Sequence, residues 1–255
     1  MGRNSFKGTL AFAAGCFLVL ATVPSVHAQA IAQQPLQAAP KTTTLKPGQI
    51  DVQMSRAFAK VTQTGLGHDH AIEGRLMGGV IQLGAQQNAG SLVFDMTSYR
   101  ADTAAARKYI GLAGTTSPST QQQTNTNMLG ASVLDVRKYP TSTFVIDSAL
   151  LIPGKSRDGH PRYKLAGNFT LHGTTRPLAM NAEVIQEQDR LHLRGGFNIN
   201  QTNFGITPFK KAFGAVGVAD QMTIYGEVYV AYAMPAKQVA PVKPVAQSSS
   251  TEAKR

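Results

Sequence analysis

Apolar and polar residues alternate with a period of two along much of the chain. Leu92, Phe94 and Met96 are interleaved with Val93 and Asp95, and Phe144, Ile146, Ser148 and Leu150 form a second row. Tyr163, Leu165, Gly167, Phe169 and Leu171 make a third, and Leu178, Met180, Ala182 and Val184 a fourth. Met222, Ile224, Gly226, Val228 and Val230 complete the set. Successive side chains on a strand point to opposite faces, so each row predicts a strand with one apolar side. Turn formers separate the rows: Gly78-Gly79, Asn88-Ala89-Gly90, Pro153-Gly154, Asp158-Gly159, and Gly173 with Pro177 beyond it. The helical exceptions sit together near residues 102–136. Asp102 or Thr103 can cap a short Ala-rich helix running to about Leu112, and a second short helix is predicted around Met128 to Val136. A Ser/Thr/Gln/Asn-rich loop, Thr115 to Asn127, is expected to join them.

Many antiparallel strands interrupted once by helix predict an all-β closed barrel or sandwich. A barrel removes exposed strand edges, and with about eight strands its interior can hold one small or elongated ligand. The alternation by itself does not choose between the two. The barrel or sandwich is expected to occupy residues 49–234. Before it, residues 29–48 are rich in Gln, Ala, Thr and Pro without periodicity and read as a disordered linker. After it, residues 235–255 form a Pro/Ser-rich tail of the same character.

The first 28 residues have a different pattern. Arg3 and Lys7 precede an apolar run from Thr9 to Val23, and Val26-His27-Ala28 supplies small residues where a signal peptidase cuts. The segment therefore reads as a secretory signal peptide cleaved after Ala28, which implies a periplasmic or secreted protein. A lipoprotein signal at Ala13-Ala14-Gly15-Cys16 fits less well, because the apolar run continues past Cys16 and Ala stands where Leu is usual. Cys16 is the single cysteine, so the mature chain would carry neither a disulfide nor a thiol nucleophile. The formal charge of +11 is concentrated in the flanks; residues 49–234 hold 17 basic and 13 acidic side chains. The basic residues are dispersed and not interleaved with aromatics, which argues against a nucleic-acid groove. Such a mildly basic chain can still graze an anionic membrane surface, and peripheral membrane contact and a homodimer are both left open.

Three stretches carry recognisable motifs. Leu134-Asp135-Val136-Arg137-Lys138-Tyr139-Pro140 leads to Phe144. Gly167-Asn168-Phe169-Thr170-Leu171-His172-Gly173-Thr174-Thr175-Arg176-Pro177-Leu178 reads as strand, turn, strand. Asn203-Phe204-Gly205-Ile206 is followed by Val218-Ala219-Asp220. In this order, and behind Gly67-His68-Asp69-His70 and its Gly-Gly-Val-Ile, they resemble the YceI-like family of exported lipid-binding proteins. The chain departs from the family at Thr124-Asn125-Thr126-Asn127-Met128-Leu129-Gly130, where an Arg-Asp pair on a helix is common. The resemblance implies an extended antiparallel, lipocalin-like β-barrel. It also implies an apolar tunnel holding a polyisoprenoid chain such as a prenyl quinone, with no other cofactor and no enzymatic activity.

Inward apolar positions are the candidates for lining such a tunnel: Phe94, Phe144, Ile146, Tyr163, Leu165, Phe169, Met180, Phe197, Ile199, Phe204 and Met222. An alternative chemistry rests on histidine. His68 and His70, one residue apart, would share a strand face, and with His172 they could chelate a metal ion with an open position for water, as in a metal-dependent envelope enzyme. Asp69 or Asp135 would orient a ligand. The chain has no Gly-x-Ser-x-Gly, no His-Glu-x-x-His and no Gly-rich phosphate loop leading into a helix.

Overall fold

The computed structural model describes residues 45–232; the expected signal peptide, the linker up to residue 44 and the tail lie outside the described residues. Strands β1 (Arg56–Gly65), β2 (His70–Ile81) and β3 (Gly90–Ala101) lead into helices α1 (Ala104–Ile110) and α2 (Pro118–Leu129). Strands β4 (Thr141–Lys155), β5 (Pro161–Leu171), β6 (Thr174–Glu187) and β7 (Arg190–Asn200) follow, then a two-residue β8 (Lys210–Lys211) and β9 (Val216–Ala231). Each long strand pairs antiparallel with its neighbour, β9 packs beside β7, and β1–β9 pairing closes the ring. Phe58 faces Tyr225 across that seam and Ala57 faces Gly226. The barrel, not the sandwich, forms: eight long strands close on themselves, and β8 is a short ninth paired to β9.

Two local expectations are corrected. The segment expected to be a loop, residues 115–127, is mostly α2, which runs on to Leu129, whereas the rest of the helix expected around Met128 to Val136 is a series of turns. Ser117 caps α2, accepting a bond from the Thr120 amide, and Pro118 fills the first turn, where its missing N–H costs nothing. No residue of α2 is buried, so it has no apolar stripe for a periodicity search to find. The second correction is in β4. Phe144 and Ile146 point inward, but the register shifts between Ile146 and Ser148. Beyond that bulge Ala149 is buried while Leu150 and Leu151 face solvent, so the expected inward row ends at Ile146.

The alternating strand directions put the two longest connections, β3–β4 and β7–β9, at one end of the barrel and the β2–β3, β4–β5 and β6–β7 hairpins at the other. At the hairpin end the chain before β1 runs between β2 and β9 and completes the wall there. Ile50, only 2% exposed, bridges to Val230, and its amide donates to Gly79 O at 3.0 Å. Arg190 Nε holds Asp51 Oδ2 at 2.9 Å, tying this segment to β7. Ile81, Ala89 and Ala149 are buried around it. The other end carries the β1–β2 turn, both helices, the β5–β6 turn and residues 201–215.

Candidate functional site

The irregular end encloses a cavity of about 420 Å³, within the ~300–1,000 Å³ range usual for small-molecule sites. Its walls are mainly apolar. Ile72, Met96 and Ile224 contribute from β2, β3 and β9, together with four of the residues expected from the alternation: Phe94, Phe169, Phe197 and Met222. Phe169 organises the deep wall, meeting Phe94, Phe197 and Phe204 edge-on at centroid distances of 6.4, 5.7 and 5.7 Å. Such T-shaped contacts match ring edge to ring face and hold the walls in a defined shape. Phe144, Ile146, Leu165, Ile199 and Phe204 do not line the cavity; they are buried in the solid interior, with Tyr163 and Met180 packed against it. Those on strands point inward as alternation requires, but alternation does not say which inward positions border the hollow, and Phe204 lies off the strands in the turn after β7.

The rim is polar. Gln63, His68 and His70 supply one side, and Thr120, Gln123, Thr124 and Asn127 of α2 the other. Two bonds to one residue of β3 pin α2 in place: Ala101 N donates to Asn125 Oδ1 at 2.7 Å, and Gln121 Nε2 donates to Ala101 O at 2.9 Å. A helix with no apolar face is thus held across the mouth by side-chain amides.

The two histidines are organised by Asp102. The side chain of this residue is completely buried, and it sits at φ +55° between β3 and the Thr103 cap of α1. Its Oδ2 accepts from His70 Nδ1 at 2.7 Å and from His68 Nε2 at 3.3 Å. Its Oδ1 accepts from the Ala71 amide at 3.1 Å and from Arg107 Nη1 at 3.0 Å. Burial by itself would push the Asp102 carboxyl up, but the bonds from His70, Ala71 and His68 outweigh it and hold the group well below the usual carboxylate range. An ionised Asp102 accepts from His70 Nδ1 and His68 Nε2, so in the neutral form of each ring the other nitrogen, His70 Nε2 or His68 Nδ1, is the acceptor. Nearby, Gln63 Oε1 is buried without a partner among the described residues. Arg107 also donates to Gly114 O at 3.0 Å and to Ala113 O, so its charge is fully committed beside Asp102.

His172 is not in this cluster, and the metal triad expected from the sequence does not assemble. His172 occupies the β5–β6 turn at φ +51°, followed by Gly173 at φ +73°. Two positive-φ residues between antiparallel strands make the turn whose twist matches the barrel. A Cβ on Gly173 would come within 2.6 Å of the Tyr139 ring, and the His172 ring lies 4.4 Å from that same ring. His172 Nδ1 meets Phe204 O at 3.3 Å, Arg176 Nε donates to Asn203 O at 3.0 Å, and Asp220 accepts from the Thr202 amide and hydroxyl. The motif stretches therefore meet one another and lock the frame of the open end. Neither Asp69 nor Asp135 orients the histidines. The group within ligand distance is His68, His70 and Asp102, all within 4.8 Å. Asp102 was legible only as a helix cap; the β2–β3 register, which pairs Ile72 with Ala101, is what brings it beside His70.

Among solved structures, BcnA of Burkholderia cenocepacia is 16% identical; the similarity covers 71% of this chain and 99% of that one, with a TM-score of 0.45. A YCEI protein of Campylobacter jejuni is 12% identical over 80% of this chain and 95% of that one, with a TM-score of 0.40. No curated protein matches. The YceI-like domain matches residues 49–230, which spans every strand of the ring almost to its last residue. This chain belongs to the YceI-like family.

Proposed function

We propose that the chain is an exported binding protein whose barrel holds a polyisoprenoid-type lipid, such as a prenyl quinone, for sequestration or transport in the cell envelope. The observation that carries this reading is the cavity of about 420 Å³ walled by Phe94, Met96, Phe169, Phe197, Met222 and Ile224. At ~0.8 kcal/mol per buried CH₂, a branched hydrocarbon needs only such a wall, and no reactive group, to be held. The acceptors left on His68 and His70, with the unpartnered Gln63 oxygen, suit a neutral head that donates a hydroxyl proton at the rim. The apolar leader of residues 1–28 supports export.

The competing reading, a metal-dependent enzyme, loses its third histidine to the β5–β6 turn. Its replacement, Asp102, already has its charge met by Arg107 and two imidazoles, which suits positioning of the rings better than ligation of a cation. Native mass spectrometry and organic extraction of the full chain from its own host test the proposal. One prenyl lipid per chain is the expected result. Met222→Trp, which fills the cavity, should then reduce retention of an added prenyl quinone about tenfold or more. A lipid-free protein that also refuses the added quinone, or stoichiometric metal lost in His68→Ala, would overturn it.

A further inference from the structure

Beside the cavity mouth the surface is unusual. Phe213, in the β8–β9 connection, is 114% exposed and touches nothing that shields it; Leu66 in the β1–β2 turn is 72% exposed, and Val216 is also exposed. The two turns form one tip: Leu66 N donates to Ala215 O at 2.8 Å, and Gly65 pairs with Val216. The backbone holds Phe213 out at a cost. Ala212, Phe213 and Gly214 have φ of +50°, +53° and +91°, and a left-handed aromatic residue costs energy that no internal contact here offsets. Lys210 and Lys211 precede it, both exposed and without an ion-pair partner among the described residues. From Gly205 to Ala219 the chain has no acidic residue. Leu66, Lys211 and Val216 also line the cavity, so the tip and the mouth are continuous.

We propose that this tip docks the barrel on an anionic lipid bilayer, with Phe213 and Leu66 entering the interface and Lys210 and Lys211 over the headgroups. Unpaired cations flanking apolar side chains match an anionic interface, whose headgroups and acyl boundary satisfy both. They do not match the chain's own ends. Residues 1–44 carry Arg3, Lys7 and Lys41 with no acid, and residues 235–255 carry four cations and one acid, so both repel the lysines. A mouth pressed to the bilayer would let a hydrocarbon guest pass between membrane and barrel without crossing water.

The chain has no tryptophan, so Phe213→Trp gives a single reporter. With the full chain and vesicles of equal parts phosphatidylglycerol and phosphatidylcholine, the indole emission should shift to the blue and be quenched by brominated acyl chains. Flotation should fall about tenfold or more in Phe213→Ser, and about fivefold in Lys210→Gln at low salt. Neither residue lines the cavity, so both variants should retain a prenyl quinone as the wild type does; failure of docking is thereby separable from failure of the lipid reading. An unshifted indole emission in Phe213→Trp, flotation equal in all variants, or a solution dimer that Phe213→Ser dissociates would overturn the proposal.

Discussion

The two ends of this barrel solve opposite problems. At the hairpin end, the segment before β1 completes the wall, Ile50 is buried in a solid interior, and charged groups pair with one another around it. At the far end lie the two longest connections, a helix with no apolar face lies over the opening, and the interior is hollow. One fold thus separates stability from binding. The apolar surface that the cavity leaves unfilled is contact the barrel forgoes, and the closed end and the motif frame supply the rigidity that keeps the hollow from collapsing.

The sharpest break of this contrast is Ile50→Ala. Removing a fully buried side chain from the closed end should cost about 3 kcal/mol in urea unfolding, more than any truncation in the solvent-facing α2. Gly173→Ala tests the frame at the open end. A Cβ at φ +73° and within 2.6 Å of the Tyr139 ring should cost about 2 kcal/mol, read as a lower melting temperature. If the motifs acted only on ligand, stability would be untouched.

His192 gives the closed end a pH dependence. Its ring stacks on Tyr229 at 4.2 Å, Nδ1 meets Glu187 Oε1 at 3.2 Å, and Nε2 meets Glu227 Oε2. Tyr109 donates to Glu227 from the α1 side at 2.7 Å. Burial alone would lower the imidazole pKa, but Glu227 and Glu187 outweigh it and raise the value. A raised folded pKa means stabilisation that is complete below the ordinary value of about 6.5 and disappears as pH rises through the folded one. His192→Gln should therefore cost about 1.5 kcal/mol near pH 5.5, with the gap from wild type narrowing on the alkaline side. A gap that widened with pH would show the pairing to be wrong.

The smallest expected effect lies at the mouth. Ser117→Ala removes the α2 cap and should lower global stability by at most about 1 kcal/mol. Amide exchange in residues 118–129 should nonetheless quicken markedly, because among the described residues, besides the Ala101 bonds, only Met128, packed near Ile72, anchors that exposed helix to the apolar interior. Equal protection in wild type and variant would mean that α2 is not the loosely held cover described.

The antiparallel all-β fold was legible in the chain because alternation over β3, β5, β6 and β9 leaves no other way to bury one face of so many strands. Turn chemistry marked the breaks, and the linked motifs pointed to the family. The cavity was only partly legible. Phe94, Phe169, Phe197 and Met222 reach it, whereas Phe144, Ile146, Leu165 and their neighbours fill the solid interior. Period two reports which face a residue is on and does not say which inward positions border the hollow. The helix α2 escaped because polar side-chain bonds to Ala101 hold it, and such bonds leave no hydrophobic pattern.

What the sequence determined alone was therefore what is periodic, the strands and the turns between them; the expected strand face shared by His68 and His70 did not form, because β2 begins at His70 and leaves His68 in the β1–β2 turn. Tertiary structure decided the rest. It closed β1 on β9, sent His172 to a turn 32 residues before its Phe204 contact, and brought Asp102 to the histidines across the same separation in sequence from His70. Contacts of that range depend on strand register around a closed ring, and register is set by the sum of all the pairings and by no single segment.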